Sequence, residues 1–307
     1  MRVRCSHSML WGGRVMNWFI GITIVTLASG WIGAGVNELL GQPNSVDSLG
    51  SLIWLTTPFV LVVVARVTKQ VSAPGRWSPR FKQSWKWYVL ALLVYPAICV
   101  FSSVAGVGSG IATFNGIGLG ALSGAVAVPF IAMFVKNICE ESVWRGFFVG
   151  EMDRRASDWL VYAISGGVWG LWHLPYYLFF LPEEQMRTVM DVSRPVFALL
   201  ACGVMVLWGV LFAELFRLAG SIWPLVLLHA VEDVTVNPLV MEGHLVIRPG
   251  FEWLISPVVG ILPALCLCGL GLALRWYRVN RVRGSESSPR SSSLPGVSEP
   301  VKQGSAG

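Results

Sequence analysis

Residues 87–135 read WYVLALLVYPAICVFSSVAGVGSGIATFNGIGLGALSGAVAVPFIAMFV, 49 positions without one Asp, Glu, Lys or Arg. A bilayer core of about 30 Å is crossed by roughly 20 apolar residues in a helix, so this run is long enough for two crossings. Gly106, Gly108, Gly110, Gly116, Gly118 and Gly120 gather in its middle and supply a turn between them. Working outward, further uncharged stretches lie at 15–37, 48–65, 159–182, 195–213, 218–231 and 253–274. The sum is about eight transmembrane helices, an all-α polytopic membrane protein.

Composition points the same way. Hydrophobic residues make up 54% of the 307 and charged residues 13%, far from the about 25% charge of soluble domains. Mean hydropathy is +0.62. Disordered and ordinary soluble classes are thereby excluded. The net charge of +6 could suggest nucleic acid, but the basic residues sit in short clusters between apolar runs rather than on a solvated face, so no nucleic-acid partner is expected. The bilayer itself is the partner. Five of the six cysteines fall in apolar segments and read as small apolar fillers; Cys266 and Cys268, two apart, point to different sides of a helix.

Lys and Arg are retained on the cytoplasmic side. Arg2, Arg4 and Arg14 precede the first span, Arg66, Lys69, Arg76, Arg80, Lys82 and Lys86 follow the second, and Arg275, Arg278, Arg281 and Arg283 follow the last. The loops 41–50 and 101–120 hold only Asp47. Eight spans put every basic cluster on one face, so both termini are expected in the cytoplasm and the protein in the cell membrane. The basic loop from Arg66 to Lys86 reads as topogenic and lipid-facing. Trp18 to Leu40 is too long for a cleaved signal segment and reads as an anchor. The expected division is a cytoplasmic N-terminus over 1–17, a transmembrane domain over 18–282, and a Ser-, Gly- and Pro-rich disordered tail over 283–307.

Ionisable groups inside a span are costly, and each is a candidate for function. The fourth span carries KNICEESVWRGFF, with Glu141 and Arg145 four apart on one helix face and Glu140 turned about 100° away. The fifth holds His173, four residues after Trp169 and two before Pro175. The seventh holds His229 and Asp233 at i and i+4, with Glu232 between them. At about 1.5 Å per residue, Glu140, His229 and His173 lie roughly 15, 14 and 21 Å from the cytoplasmic edge, depths compatible with one shared site. That places a cavity, open to the cytoplasm, between helices four, five and seven. One carboxylate, two histidines and an Asp can polarise water and stabilise an oxyanion, or hold a divalent metal. Spacing leaves both open. Glu232 reads as a helix-face partner, and His244 as solvated in an outer loop.

The EExxxR of Glu140, Glu141 and Arg145, the aromatic-xxx-His of Trp169 and His173, the stretch RLAGSIWP over 217–224, and the HxxxD of His229 and Asp233 resemble the CPBP family, the CAAX prenyl proteases and bacteriocin-processing enzymes also called Abi proteins. The similarity covers about residues 120–240. It implies an intramembrane endopeptidase, cleaving a membrane-associated substrate of the CAAX or leader-peptide kind, in which Glu140 activates water. By the same resemblance His173 and His229, with Glu140, hold a divalent metal such as zinc or stabilise the oxyanion. Asp233 stands beside them, Glu141 and Arg145 form a supporting ion pair, and Trp169 is an aromatic shelf. Two positions depart from the family pattern: Trp169 replaces the usual phenylalanine, and Asp233 the common asparagine. The second adds negative charge and removes an amide donor, which favours a bound cation. Two other classes remain in view: a transporter or channel relaying protons through the same Glu and His residues, and a catalytically silent immunity or scaffold protein.

Overall fold

The computed structural model describes residues 13–71, 75–116, 119–153 and 155–286. The first part of the expected N-terminus and the tail from 287 lie outside the described residues, as do Arg2, Arg4 and Cys5. The described residues are largely helical. α1 spans Gly13–Leu39, α2 Leu49–Val67 and α3 Phe81–Gly108. α4, Leu119–Val143, runs without a break through a π-helical segment, Trp144–Val149, into α5, Gly150–Met152. α6, Asp158–Pro175, ends in a second π-helical segment, Tyr176–Phe180. The short α7, Glu183–Val189, leads to α8, Arg194–Ala219, and α9, Trp223–Met241; α10, Glu252–Ile255, precedes α11, Ile261–Glu286.

Among the described residues, length and apolarity single out six helices able to cross a membrane: α1, α2, α3, α8, α9 and Ile261–Arg281 of α11. Two long helices outside that set, α4 and α6, carry Glu140 and His173. The protein is an integral membrane protein of the all-α class. α8 and α9 are its most enclosed spans and α11 its most exposed, so the polar residues of α9 lie at the centre of the bundle.

Small residues let the helices approach, the usual device where lipid offers no hydrophobic drive for association. A Cβ on Gly33 of α1 would collide with the Gly50 backbone of α2. Asn37 seals the same hairpin: its side-chain oxygen accepts from the Gly50 N–H at 2.8 Å, and its amide donates to Asn44 and Ser48, each at 2.8 Å. Gly170 of α6 likewise packs on the Cys202 carbonyl of α8. Two three-residue strands, β1 (Ala112–Phe114) and β2 (Leu245–Ile247), pair antiparallel with Thr113 opposite Val246 and join the α3–α4 connection to that after α9. His244, expected to be solvated, is half-buried, with its Nδ1 3.0 Å from the Gly116 carbonyl beside this strand pair.

The basic loop is packed, contrary to a purely lipid-facing role. Arg66 donates to the Gly146 carbonyl in the first π segment at 2.7 Å. The Arg76 guanidinium lies over the Phe216 ring and 3.6 Å from Asp153. Burial pushes its pKa down, and Asp153 opposes that shift. The stretch 217–224 forms the α8–α9 turn on which this loop rests. Gly220 there is left-handed at φ +62° with Arg80 against it, and the Ile222 N–H donates to the Arg76 carbonyl at 3.0 Å. Arg217 bonds Asp153 and Glu214, at 2.7 and 2.5 Å, and Arg278 bonds Glu214 and Asp158, at 2.7 and 3.0 Å. These pairs tie the ends of α6, α8 and α11 together.

Candidate active site

α4, α6 and α9 bring their polar residues to one region. Glu140 and Glu141 sit on the last turns of α4, both buried, and Arg145 on the π segment that continues it. Trp169 and His173 belong to the last two turns of α6. His229, Glu232 and Asp233 lie around the middle of α9.

The expected Glu141–Arg145 pair is present, with Arg145 Nη1 2.9 Å from Glu141 Oε1. The same oxygen lies 2.9 Å from His229 Nδ1, so the pair also orients a histidine on another helix. The Arg145 guanidinium lies 4.2 Å from the Trp169 ring centre and 4.1 Å from that of Phe212, two cation–π contacts that fix its plane. Trp169 stands between the two imidazoles as a shelf, its ring centre 6.0 Å from His173 and 5.7 Å from His229, edge-on to both.

His173 Nδ1 lies 2.9 Å from the Trp169 carbonyl. A carbonyl only accepts, so Nδ1 carries the proton and Nε2 is left available. His229, with Nδ1 on a carboxylate, is set in the same sense. Fixing one ring nitrogen through a carbonyl or carboxylate is how proteins orient a working imidazole.

Glu140 is held more loosely. Its Oε2 accepts from the Trp144 indole at 3.3 Å, and its Oε1 lies 3.4 Å from the Lys136 ammonium. Lys136 also reaches Asp233, 3.2 Å from each carboxylate oxygen, and Asn137 donates to Asp233 Oδ2 at 2.7 Å. Sequence reasoning did not single out Lys136 or Asn137. The signal for Lys136 was its place four residues before Glu140, an i,i+4 pair of opposite charge; its Asp233 partner is 97 positions away.

Zinc takes neutral imidazole and carboxylate as ligands. The imidazoles suit it, each with Nδ1 engaged and Nε2 available. The carboxylates suit it less. Among the described residues one group has ligand atoms within 4.8 Å of one another, His229, Glu232 and Asp233, and it does not include Glu140 or His173. Both Asp233 oxygens already face Lys136, and Asn137 bonds one of them, so a metal would displace an ammonium. A cavity of about 320 Å³ lies elsewhere, between α1 and α2, lined by Trp18, Ile22, Val25 and Leu61 among others. It contains none of these residues.

Residues 122–235 match the family model described as type II CAAX prenyl endopeptidase Rce1-like. The matched segment runs from α4 past the middle of α9 and contains every residue of the cluster. The family resemblance carried by the four motifs is borne out. No curated protein matches the chain.

Proposed function

We propose that the protein is an intramembrane endopeptidase of the CAAX type and that the Glu140, His173 and His229 cluster hydrolyses the peptide bond. The observation that carries this reading is the His229–Glu141–Arg145 chain across two helices, inside the segment that matches the endopeptidase model. A purely structural ion pair does not need an imidazole on its second partner.

The chemistry follows from the contacts. Among the described residues Glu140 has two polar contacts, both at 3.3 Å or more, which leaves lone pairs for a water molecule. It takes a proton from that water while the hydroxyl oxygen bonds to the carbonyl carbon of the substrate. Negative charge then develops on the former carbonyl oxygen. His229, whose Nδ1 rests on Glu141, takes up a second proton in the catalytic form, stabilised by that carboxylate, and donates from Nε2 to that oxygen. His173 accepts from water through Nε2 and keeps it aligned. As the C–N bond breaks, Glu140 returns its proton to the leaving nitrogen, so water is divided between the new carboxylate and the new amine. Asp233 is already matched by Lys136 and Asn137, so the steps are assigned to protein groups.

The substrate class is a peptide anchored at the membrane. Water and peptide would enter from the cytoplasmic side, where the positive-inside distribution places both termini. The transporter and silent-partner readings gain nothing from the family match. The test is a comparison of polypeptide termini in membranes of cells expressing wild type or Glu140→Ala at equal levels. Termini present only with wild type support the reading and display the cleaved sequence. Coinciding profiles, with a phenotype that persists in Glu140→Ala, overturn it.

A further inference from the structure

Lys136 is a cation deep in an apolar helix, and nothing in the hydrolytic steps above uses it. Its side chain is 26% exposed, that of Glu140 3% and that of Asp233 10%, so the ammonium stands on the open side of two nearly enclosed carboxylates. Charges in such surroundings persist only when paired. Lys136 contacts both Asp233 oxygens on α9 and Glu140 Oε1 on its own helix. Asn137, the next residue, bonds Asp233 from the same helix. Two consecutive side chains of α4 thus bind one carboxylate of α9, and one of them also reaches the carboxylate assigned to water.

We propose that the Lys136 ammonium is the resident cation of this centre, bridging Glu140 and Asp233 in the place where a divalent ion would otherwise be bound. Asp233 calls for positive charge beside it, and α4 supplies that charge covalently. Lys136 is a positioning residue: it locks α4 to α9 through Asp233 and fixes the Glu140 carboxylate relative to His229. Removing the ammonium while keeping the chain's bulk frees Asp233 beside His229 and Glu232, the three residues whose ligand atoms already lie within 4.8 Å. The altered protein then becomes a site for a divalent cation.

This inference rests on the hydrolytic reading, and the experiment separates the two. The full chain is purified in detergent as wild type, Glu140→Ala, Lys136→Met and Lys136→Arg. Cleavage of a peptide spanning a sequence found by the termini comparison is followed, and each protein is titrated with Co²⁺ while its visible d–d absorption is recorded. Wild type cleaves and gives no protein-bound Co²⁺ band. Lys136→Met loses roughly 10- to 100-fold in kcat with KM near the wild-type value, as for other groups that orient a working side chain, and takes up one equivalent of Co²⁺. Lys136→Arg keeps most of kcat and stays silent to Co²⁺. If Lys136→Met does not fold, wild type and Lys136→Arg decide: both silent to Co²⁺ and both active supports the assignment. Wild type binding Co²⁺ with Lys136 in place, or Lys136→Met cleaving like wild type, overturns it. Equal cleavage by Glu140→Ala and wild type instead sinks the hydrolytic reading, and the Co²⁺ comparison still reports on Lys136.

Discussion

Glu141 places one oxygen against two partners, Arg145 on its own helix and His229 on α9. Both members of the ion pair are enclosed, and breaking such a pair from one side costs about 3–5 kcal/mol. Arg145→Ala is therefore expected to lower protein yield and to lower the thermal midpoint in detergent along with activity. Arg145→Lys should recover little, because a point charge does not reproduce the planar guanidinium between Trp169 and Phe212. Glu141→Gln keeps a hydrogen-bond acceptor on His229 but removes the charge, and kcat is expected to drop roughly 10- to 100-fold together with a lower thermal midpoint, because Arg145 loses its buried counter-charge, as read by kinetics beside thermal unfolding. At this scale the sequence was informative where partners share a helix. The four-residue spacing of Glu141 and Arg145 announces their contact. The His229 contact to Glu141 and the Lys136 contact to Asp233 join residues 88 and 97 positions apart, and no local spacing encodes them.

Helix contacts decide where those side chains stand. Gly170 packs on the Cys202 backbone one turn before His173, so a side chain there pushes α6 off α8. Gly170→Val is expected to destabilise by about 1–3 kcal/mol through overpacking and to reduce cleavage by shifting His173, measured as a lower thermal midpoint together with lower kcat. Gly167, one turn from the same contact on another face, has open space at its Cβ position. Gly167→Ala should leave both quantities close to wild type. Apolar runs made the long helices legible from composition alone. The passage of α4 through a π segment was not legible, because Trp144–Val149 carries no Pro and a lone Gly146 does not distinguish a π segment from an α-helix. The β1–β2 pairing was equally hidden, three residues a side and 133 positions from Ala112 to Leu245.

At the scale of the molecule, one end is fastened by arginines. Arg66, Arg76, Arg217 and Arg278 each bind a carbonyl or carboxylate of another segment, so Arg66, Arg76 and Arg278, expected to orient the chain, also clamp it. The sequence showed their clustering and hence the expected orientation, while their packing depended on carboxylates such as Asp153 and Glu214 whose positions only the fold reveals. The proposed orientation predicts that a membrane-impermeant maleimide labels Asp47→Cys in intact cells and leaves Lys82→Cys unlabelled until the membrane is opened. The reverse pattern would place the basic face outside.

The central claim is that Glu140 drives water onto a peptide carbonyl. Its most direct test is cleavage in H₂¹⁸O by purified wild type and Glu140→Ala, using the peptide defined by the termini comparison and mass spectrometry of the products. Wild type is expected to release a fragment whose new carboxylate has gained one ¹⁸O, and Glu140→Ala to release none. Cleavage by Glu140→Ala at the wild-type rate, or a wild-type product without ¹⁸O, would contradict the account.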